Sequence, residues 1–157
     1  MIMDERLEFC DATTAFGATG TALLGDVIDL EVARDIGNGR AVWWVVTTDT
    51  EIITAGAAGT LAFSLVSDAQ AAIAVDGSAT VHVTTGTFVT DDAAANSVQL
   101  NAGGIIACIA LPLEGPVYER YLGVLAVTGT TATTAGKINS FLTLDPIKWK
   151  AYADAVN

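Results

Sequence analysis

The sequence predicts an all-β protein, a two-sheet antiparallel β-sandwich of jelly-roll or Greek-key type. Three observations carry this prediction. Apolar residues are spread through many short runs rich in Val, Ile, Thr and aromatics, separated by Gly, Asp, Asn and Ser. No segment sustains a long helical period, and no repeat of solenoid length occurs. About eight such runs fit into 157 residues, a length that suits one well-buried core and is short for two, so residues 1–157 are expected to form a single domain.

The chain opens with MIMDERLEFCDATT, polar and acidic, which predicts an N-terminal arm over about residues 1–20. Strands are expected at Val27–Glu31 and Ala41–Thr48, on either side of the loop Ala33–Arg40. Thr60–Ser67 alternates, placing Leu61, Phe63 and Leu65 on one face and Ala62, Ser64 and Val66 on the other. From Gln70 to Asn101 large side chains give way to Ala, Ser, Asp and Thr, so this part is expected to form long loops or short edge strands, at Thr80–Thr84 and Thr87–Thr90. Asp91–Ser97 is Ala-rich and suits a single helical turn, without the amphipathic period that would hold it on a core. Gly104–Leu111, Arg120–Thr128 and Gly136–Leu144 complete the strands. The tail of about 146–157, with IKWKAYADAVN after Pro146, reads as a short helix or an extended arm.

Two of the runs, AVWWVV and IIACIAL, are apolar on both faces. Either both faces are covered within the fold or one meets another protein.

The chain is 52% hydrophobic, with a mean hydropathy of +0.49. Even so, its longest nearly uninterrupted apolar stretch, Gly103 to Leu113, is about half of the roughly 20 residues a membrane-spanning helix needs. Acids stand where a secretory signal carries basic residues, so export by that route is not expected, nor is an outer-membrane barrel with its aromatic girdles. A net charge of −11 with seven basic residues argues against a surface that neutralises phosphates, so nucleic acid is not an expected partner. The lysines, Lys137, Lys148 and Lys150, make only the C-terminal part locally basic. Cys10 and Cys108 are too few for a disulfide framework and read as free thiols, with Cys108 in the core.

Residues for catalysis are scarce. His82, the single histidine, lies in the alternating run TVHVTT and reads as a strand residue on a polar face. One imidazole cannot supply the metal ligand set of a cupin-type jelly roll, and no nucleophile-elbow motif accompanies it. Asp26/Asp29, Asp29/Glu31 and Asp91/Asp92 are carboxylate pairs of the kind glycoside hydrolysis uses. Among eighteen acids such spacings arise by chance, and solvated turns explain them as well. No calcium loop surrounds them. Gly37-Asn38-Gly39 is not a dinucleotide loop: the third glycine position is Val42, and a strand follows where a helix is needed. A turn explains it, because Asn and Gly accept positive φ cheaply. Catalytic, cofactor-binding and metal-binding residues are therefore not assigned, and no cofactor is expected.

Aromatic and arginine side chains remain as contact candidates. Adjacent residues on a strand face opposite ways, so of Trp43 and Trp44 one lies outside the face the other fills. Trp149 and Tyr152, flanked by Lys148 and Lys150, suit anchors on a neighbouring subunit, and packing on their own sandwich suits them equally. Arg34 and Arg40 in the loop Ala33–Arg40 are candidate ion-pair donors, with a local pairing of Arg34 to Asp35 or Glu31 as the alternative.

Three segments then resemble one family. DVIDLEVARDIGNGRAVWWVV (Asp26–Val46), ERYLGVLAVTGTTATTAGKINSFLTLD (Glu119–Asp145) and the opening DERLEFCDATTAF are similar, in this order, to the capsid cement, or decoration, proteins of tailed bacteriophages, typified by the cement protein of a Bordetella phage. The middle, about Gln70 to Asn101, and the tail have no clear match, and Gly123 replaces a bulkier strand residue. The resemblance implies a jelly roll without enzymatic activity. Such a protein would sit on the exterior of an icosahedral virion after assembly in the host cytoplasm, as a homo-oligomer, dimer or trimer, bound across subunits of the major capsid protein. Met1 to Phe16 and the loop Ala33–Arg40 are then the expected contacts. The alternative is a lectin-like module that stacks Trp43 or Trp149 on a sugar.

Overall fold

The computed structural model describes residues 5–14, 17–34, 36, 39–54, 58–91 and 96–146. Within them nine strands carry the regular structure: β1 Glu8–Thr13, β2 Gly20–Asp29, β3 Trp43–Ile53, β4 Gly59–Asp68, β5 Thr80–Thr84, β6 Phe88–Thr90, β7 Ile105–Ala110, β8 Tyr121–Gly129 and β9 Ala135–Thr143. Two 3-10 turns, Glu5–Leu7 and Val98–Leu100, accompany them.

All pairings are antiparallel. One sheet has the order β1-β9-β3-β7, and the other β2-β8-β4-β5, with β6 also paired to β4. Strands β1 to β4 alternate between the sheets, and β7 to β9 alternate again. That is jelly-roll connectivity, so the strand order settles what periodicity left open. A core of Phe9, Leu24, Trp44, Phe63, Leu122 and Ile138, among others, fills the space between the sheets.

The expected strands all form, β5 at its expected ends and the others with shifted ends, and β1 is an addition. It lies within the stretch expected to be an N-terminal arm, which is corrected: residues 8–13 are an edge strand with Phe9 and Cys10 buried. Acids at Glu8 and Asp11 hide the strand in the sequence, and its ladder with β9 is irregular, pairing Glu8 with Phe141, Cys10 with Ser140 and Thr13 with Ile138. Ala12 takes φ 44, and its displaced N–H donates to Asn139 Oδ1 at 2.6 Å.

β2 is bulged between Leu24 and Ile28, both of which reach the core. Gly25 makes the bulge: its φ is +58, and a Cβ there would lie 2.0 Å from the Phe9 carbonyl oxygen. The close approach of β1 and β2, one from each sheet, depends on this absent side chain.

Leu61, Phe63 and Leu65 are all fully buried in the core, as alternation predicts. The opposite face of the same sheet is half covered. After β4 the chain turns back over it, pinned by Asp68, whose Oδ1 accepts the Gln70 N–H and whose Oδ2 accepts the Ala74 N–H, each at 3.0 Å. Ile73 and Ala79 thereby form a second apolar cluster with Val66 and Leu125. Gly123 makes room, since a Cβ there would meet Ile73 Cδ1 at 2.4 Å and Leu23 Cδ1 at 3.1 Å. This is the physical reason for glycine at a position where the resemblance leads one to expect bulk.

The two doubly apolar runs resolve differently. In β3, Trp44 and Val46 face the core, while Val45 pairs with Phe141 on the outward face. Val45 is 1% and Phe141 0% exposed, so at this pair the outward face of β3 is covered within the chain. In β7, Ile106 and Ala107 are buried, but Ile105 is 45% exposed and Cys108 is exposed. The placement of Cys108 in the core is therefore corrected: it pairs with Val45 and so shares the outward face. Cys10 is the buried thiol, pushed up to about 12 by burial.

Candidate functional site

His82 marks an irregularity in β5. Val83 pairs with Leu65 and Val81 with Val66, so His82 is the extra residue of a bulge that re-aims its side chain. Its ring stacks on Tyr118, 3.8 Å between centroids and 13° from parallel. Its Nε2 lies 2.7 Å from Ser67 Oγ, which also accepts the Glu119 N–H at 3.0 Å. Glu119 Oε1 in turn accepts the Thr80 hydroxyl at 2.7 Å, and the Tyr118 hydroxyl donates to the Pro112 carbonyl at 3.0 Å. Burial pulls the imidazole below its ordinary pKa, opposed by the Glu119 carboxylate. Ser67 is fully buried, so this group ties β4 and β5 to the segment before β8. His82 lies in strand β5, as expected; what is corrected is its setting, which is half-buried and stacked on Tyr118 rather than a solvated polar face. Its partners lie 15 and 36 residues away in the sequence, with no motif to join them.

The acid pairs have separate fates. Asp29 accepts from Arg120 through both oxygens, Nε to Oδ1 and Nη2 to Oδ2, each at 2.8 Å, and also accepts the Glu31 N–H at 2.7 Å. The Arg120 guanidinium holds its carboxyl well below the usual range, at about 2. Asp26, Asp29 and Glu31 line a cleft of about 470 Å³ with Glu5, Arg6 and Glu8. Glu8 Oε1 is buried with no hydrogen-bond partner among the described residues, and burial first, then Asp11, Glu5 and Asp26, push its carboxyl up. Among the described residues no three His, Cys, Asp or Glu side chains are placed to hold a metal ion. Asp92 lies outside the described residues.

Of the contact candidates, Arg34 takes the local alternative, with Nη2 3.8 Å from Glu31 Oε2 and both side chains exposed, a geometry that contributes little in water. Arg40 makes no salt bridge to a described carboxylate. It lines a groove of about 420 Å³ with Gly39, Ala41, Val42, Ala110, Leu111 and Leu113. Trp43 pairs with Ala110 on β7 and Thr143 on β9 and is half-buried at the outward face. Trp44 is buried, and its indole N–H donates to Ser140 Oγ at 3.0 Å. Trp149, Tyr152, Asp35, Gly37 and Asn38 lie outside the described residues.

The structure therefore brings Arg40, Trp43 and β7 together, and Arg34 is not among the residues that line the groove. Sequence reasoning missed the groove. Its walls come from residues 39–42 and 110–113, joined only when Leu111 N–H bonds the Val42 carbonyl at 2.8 Å.

A family model described as Bbp16 matches residues 12–142, a span that begins within β1 and ends within β9. Among curated proteins nothing matches the chain. By that match, which takes in strands of both sheets, the chain belongs to the Bbp16 family, a phage-associated family.

Proposed function

We propose that this protein is a capsid cement, or decoration, protein. In this reading it binds the outer surface of an icosahedral phage capsid across major capsid protein subunits, as a homo-oligomer, and acts by binding rather than catalysis. The observation that carries the reading is the family match over residues 12–142, joined to the three segments that resemble cement proteins.

Physical features of the chain agree with it. A net charge of −11 suits an exposed virion surface and disfavours adhesion to packaged DNA. Apolar side chains stay open along and beyond β7, at Ile105, Leu113 and Val117, as a protein that binds through its flank requires. A ligand that binds only the assembled shell stabilises it by mass action, about 2.7 kcal/mol at a concentration one hundred times its Kd.

The test mixes purified protein with capsids that lack it. Binding in stoichiometric amounts, with capsid disruption moved to higher temperature, is the expected result. No binding and unchanged heat resistance would sink the reading.

A further inference from the structure

β7 ends its sheet. Because the Leu111 N–H faces β3, antiparallel alternation turns the main-chain groups of Ile109 toward β3 and those of Cys108 and Ala110 outward. An edge of this kind is a template for another strand, and proteins commonly guard such edges with charges or proline. β1 and β2, at the other flank of the sandwich, carry Glu8, Asp11, Asp26 and Asp29. The β7 sequence IIACIA has no charge and no proline, and its one ladder irregularity lies toward its start, between the Val46 and Thr47 pairings.

The groove adjoins the C-terminal end of this edge. Its walls are apolar apart from Arg40, a cation without a described carboxylate partner in a chain with 18 acids. Glu114, one residue beyond the groove, makes no salt bridge to it. An apolar slot, a guanidinium unmatched among the described residues and an open strand edge therefore lie side by side.

We infer that β7 and this groove dock an extended, carboxylate-bearing segment of the capsid protein. The segment adds to β7 through main-chain hydrogen bonds at Cys108 and Ala110, seats an apolar side chain between Val42, Leu111 and Leu113, and pairs a carboxylate with Arg40. A second copy of this chain fits less well. Antiparallel self-pairing of β7 sets Arg40 beside the other copy's Asn101–Ile105, which contains no acid. The inference rests on the capsid reading above and specifies the surface through which it works.

The experiment is cosedimentation of wild type and variants with capsids that lack this protein, with each variant's fold checked by circular dichroism and thermal melting. Cys108→Pro removes an outward N–H and no ladder bond, which an edge strand tolerates. Arg40→Glu reverses the charge, Leu113→Asp spoils the slot, and Val127→Asp alters the outward face of the other sheet as a control. The expected result is at least tenfold weaker binding for the first three and wild-type binding for Val127→Asp. If Cys108→Pro does not fold, Arg40→Glu and Leu113→Asp decide. Wild-type binding by the folded β7 and groove variants overturns the docking surface and leaves the capsid reading standing. Failure of the wild type itself to bind overturns the capsid reading and this inference with it.

Discussion

His82 Nε2 and Ser67 Oγ meet at 2.7 Å across β5 and β4, and the Ser67 oxygen already accepts the Glu119 N–H. With that lone pair engaged, the arrangement that uses the serine hydrogen is donation to a neutral imidazole. Protonation turns Nε2 into a donor and leaves the hydrogen of a buried hydroxyl without its acceptor.

The pH dependence follows in sign. The folded-state pKa of His82 lies below the ordinary value of 6.5, so the unfolded chain takes up the proton first. The contribution is fully present above pH 6.5 and is lost as pH falls through the lower folded value. The thermal midpoint of the wild type should drop across that window, and His82→Gln should flatten the drop. An NMR titration giving His82 a pKa of 6.5 or above would contradict this account.

Ser67→Ala leaves both His82 Nε2 and the Glu119 N–H without their partner. The expected cost is about 1–3 kcal/mol in chemical denaturation, with faster amide exchange at Glu119. Unchanged stability and exchange would mean that the contact contributes nothing.

Glu8 carries the opposite sign. Its folded pKa is raised by burial and by Asp11, Glu5 and Asp26, so its ionisation opposes folding at neutral pH. Glu8→Gln should raise the melting temperature at pH 7 and lose that advantage as pH falls through the raised folded value toward the ordinary 4.5. A lower melting temperature at pH 7 counts against this.

Trp43 and Trp44 should separate under mutation. Trp44→Ala empties a fully buried site and removes the donor to Ser140, at about 3–5 kcal/mol. Trp43→Ala, half-buried on the outward face, should cost much less in denaturant unfolding. Equal losses would mean that Trp43 belongs to the core as fully as Trp44.

At Gly123 an alanine displaces the tip of Ile73 and presses on that of Leu23, both flexible, whereas Gly123→Leu overpacks the outer cluster and should cost about 1–3 kcal/mol. Because Ile73 Cδ1 is the atom in the way, Ile73→Ala in the same chain should recover part of that loss. A double-mutant cycle with no coupling would show that the obstruction lies elsewhere. Gly25→Ala has no such escape, since its obstacle is the Phe9 carbonyl and its φ is left-handed, and the loss should exceed about 2 kcal/mol in urea unfolding.

Much of the fold was legible because a strand buried on one face writes its burial as alternation. Leu61, Phe63 and Leu65 are the clearest case, and β5 was read at its observed ends, Thr80–Thr84. β1 escaped because two buried residues, Phe9 and Cys10, sit between acids and its irregular ladder with β9 leaves no period. Of the contact candidates, Arg40 and Trp43 lie beside β7, while Arg34 reaches Glu31 at 3.8 Å.

The sequence by itself determined an all-β sandwich and, through three short segments, a resemblance to one family, because strand periodicity and local motifs are properties of neighbouring residues. Only the tertiary structure decided which face of a doubly apolar strand is covered, why residue 123 is glycine, and that residues 39–42 and 110–113 form one groove. These depend on contacts between segments tens of residues apart, which antiparallel pairing creates and no local pattern encodes.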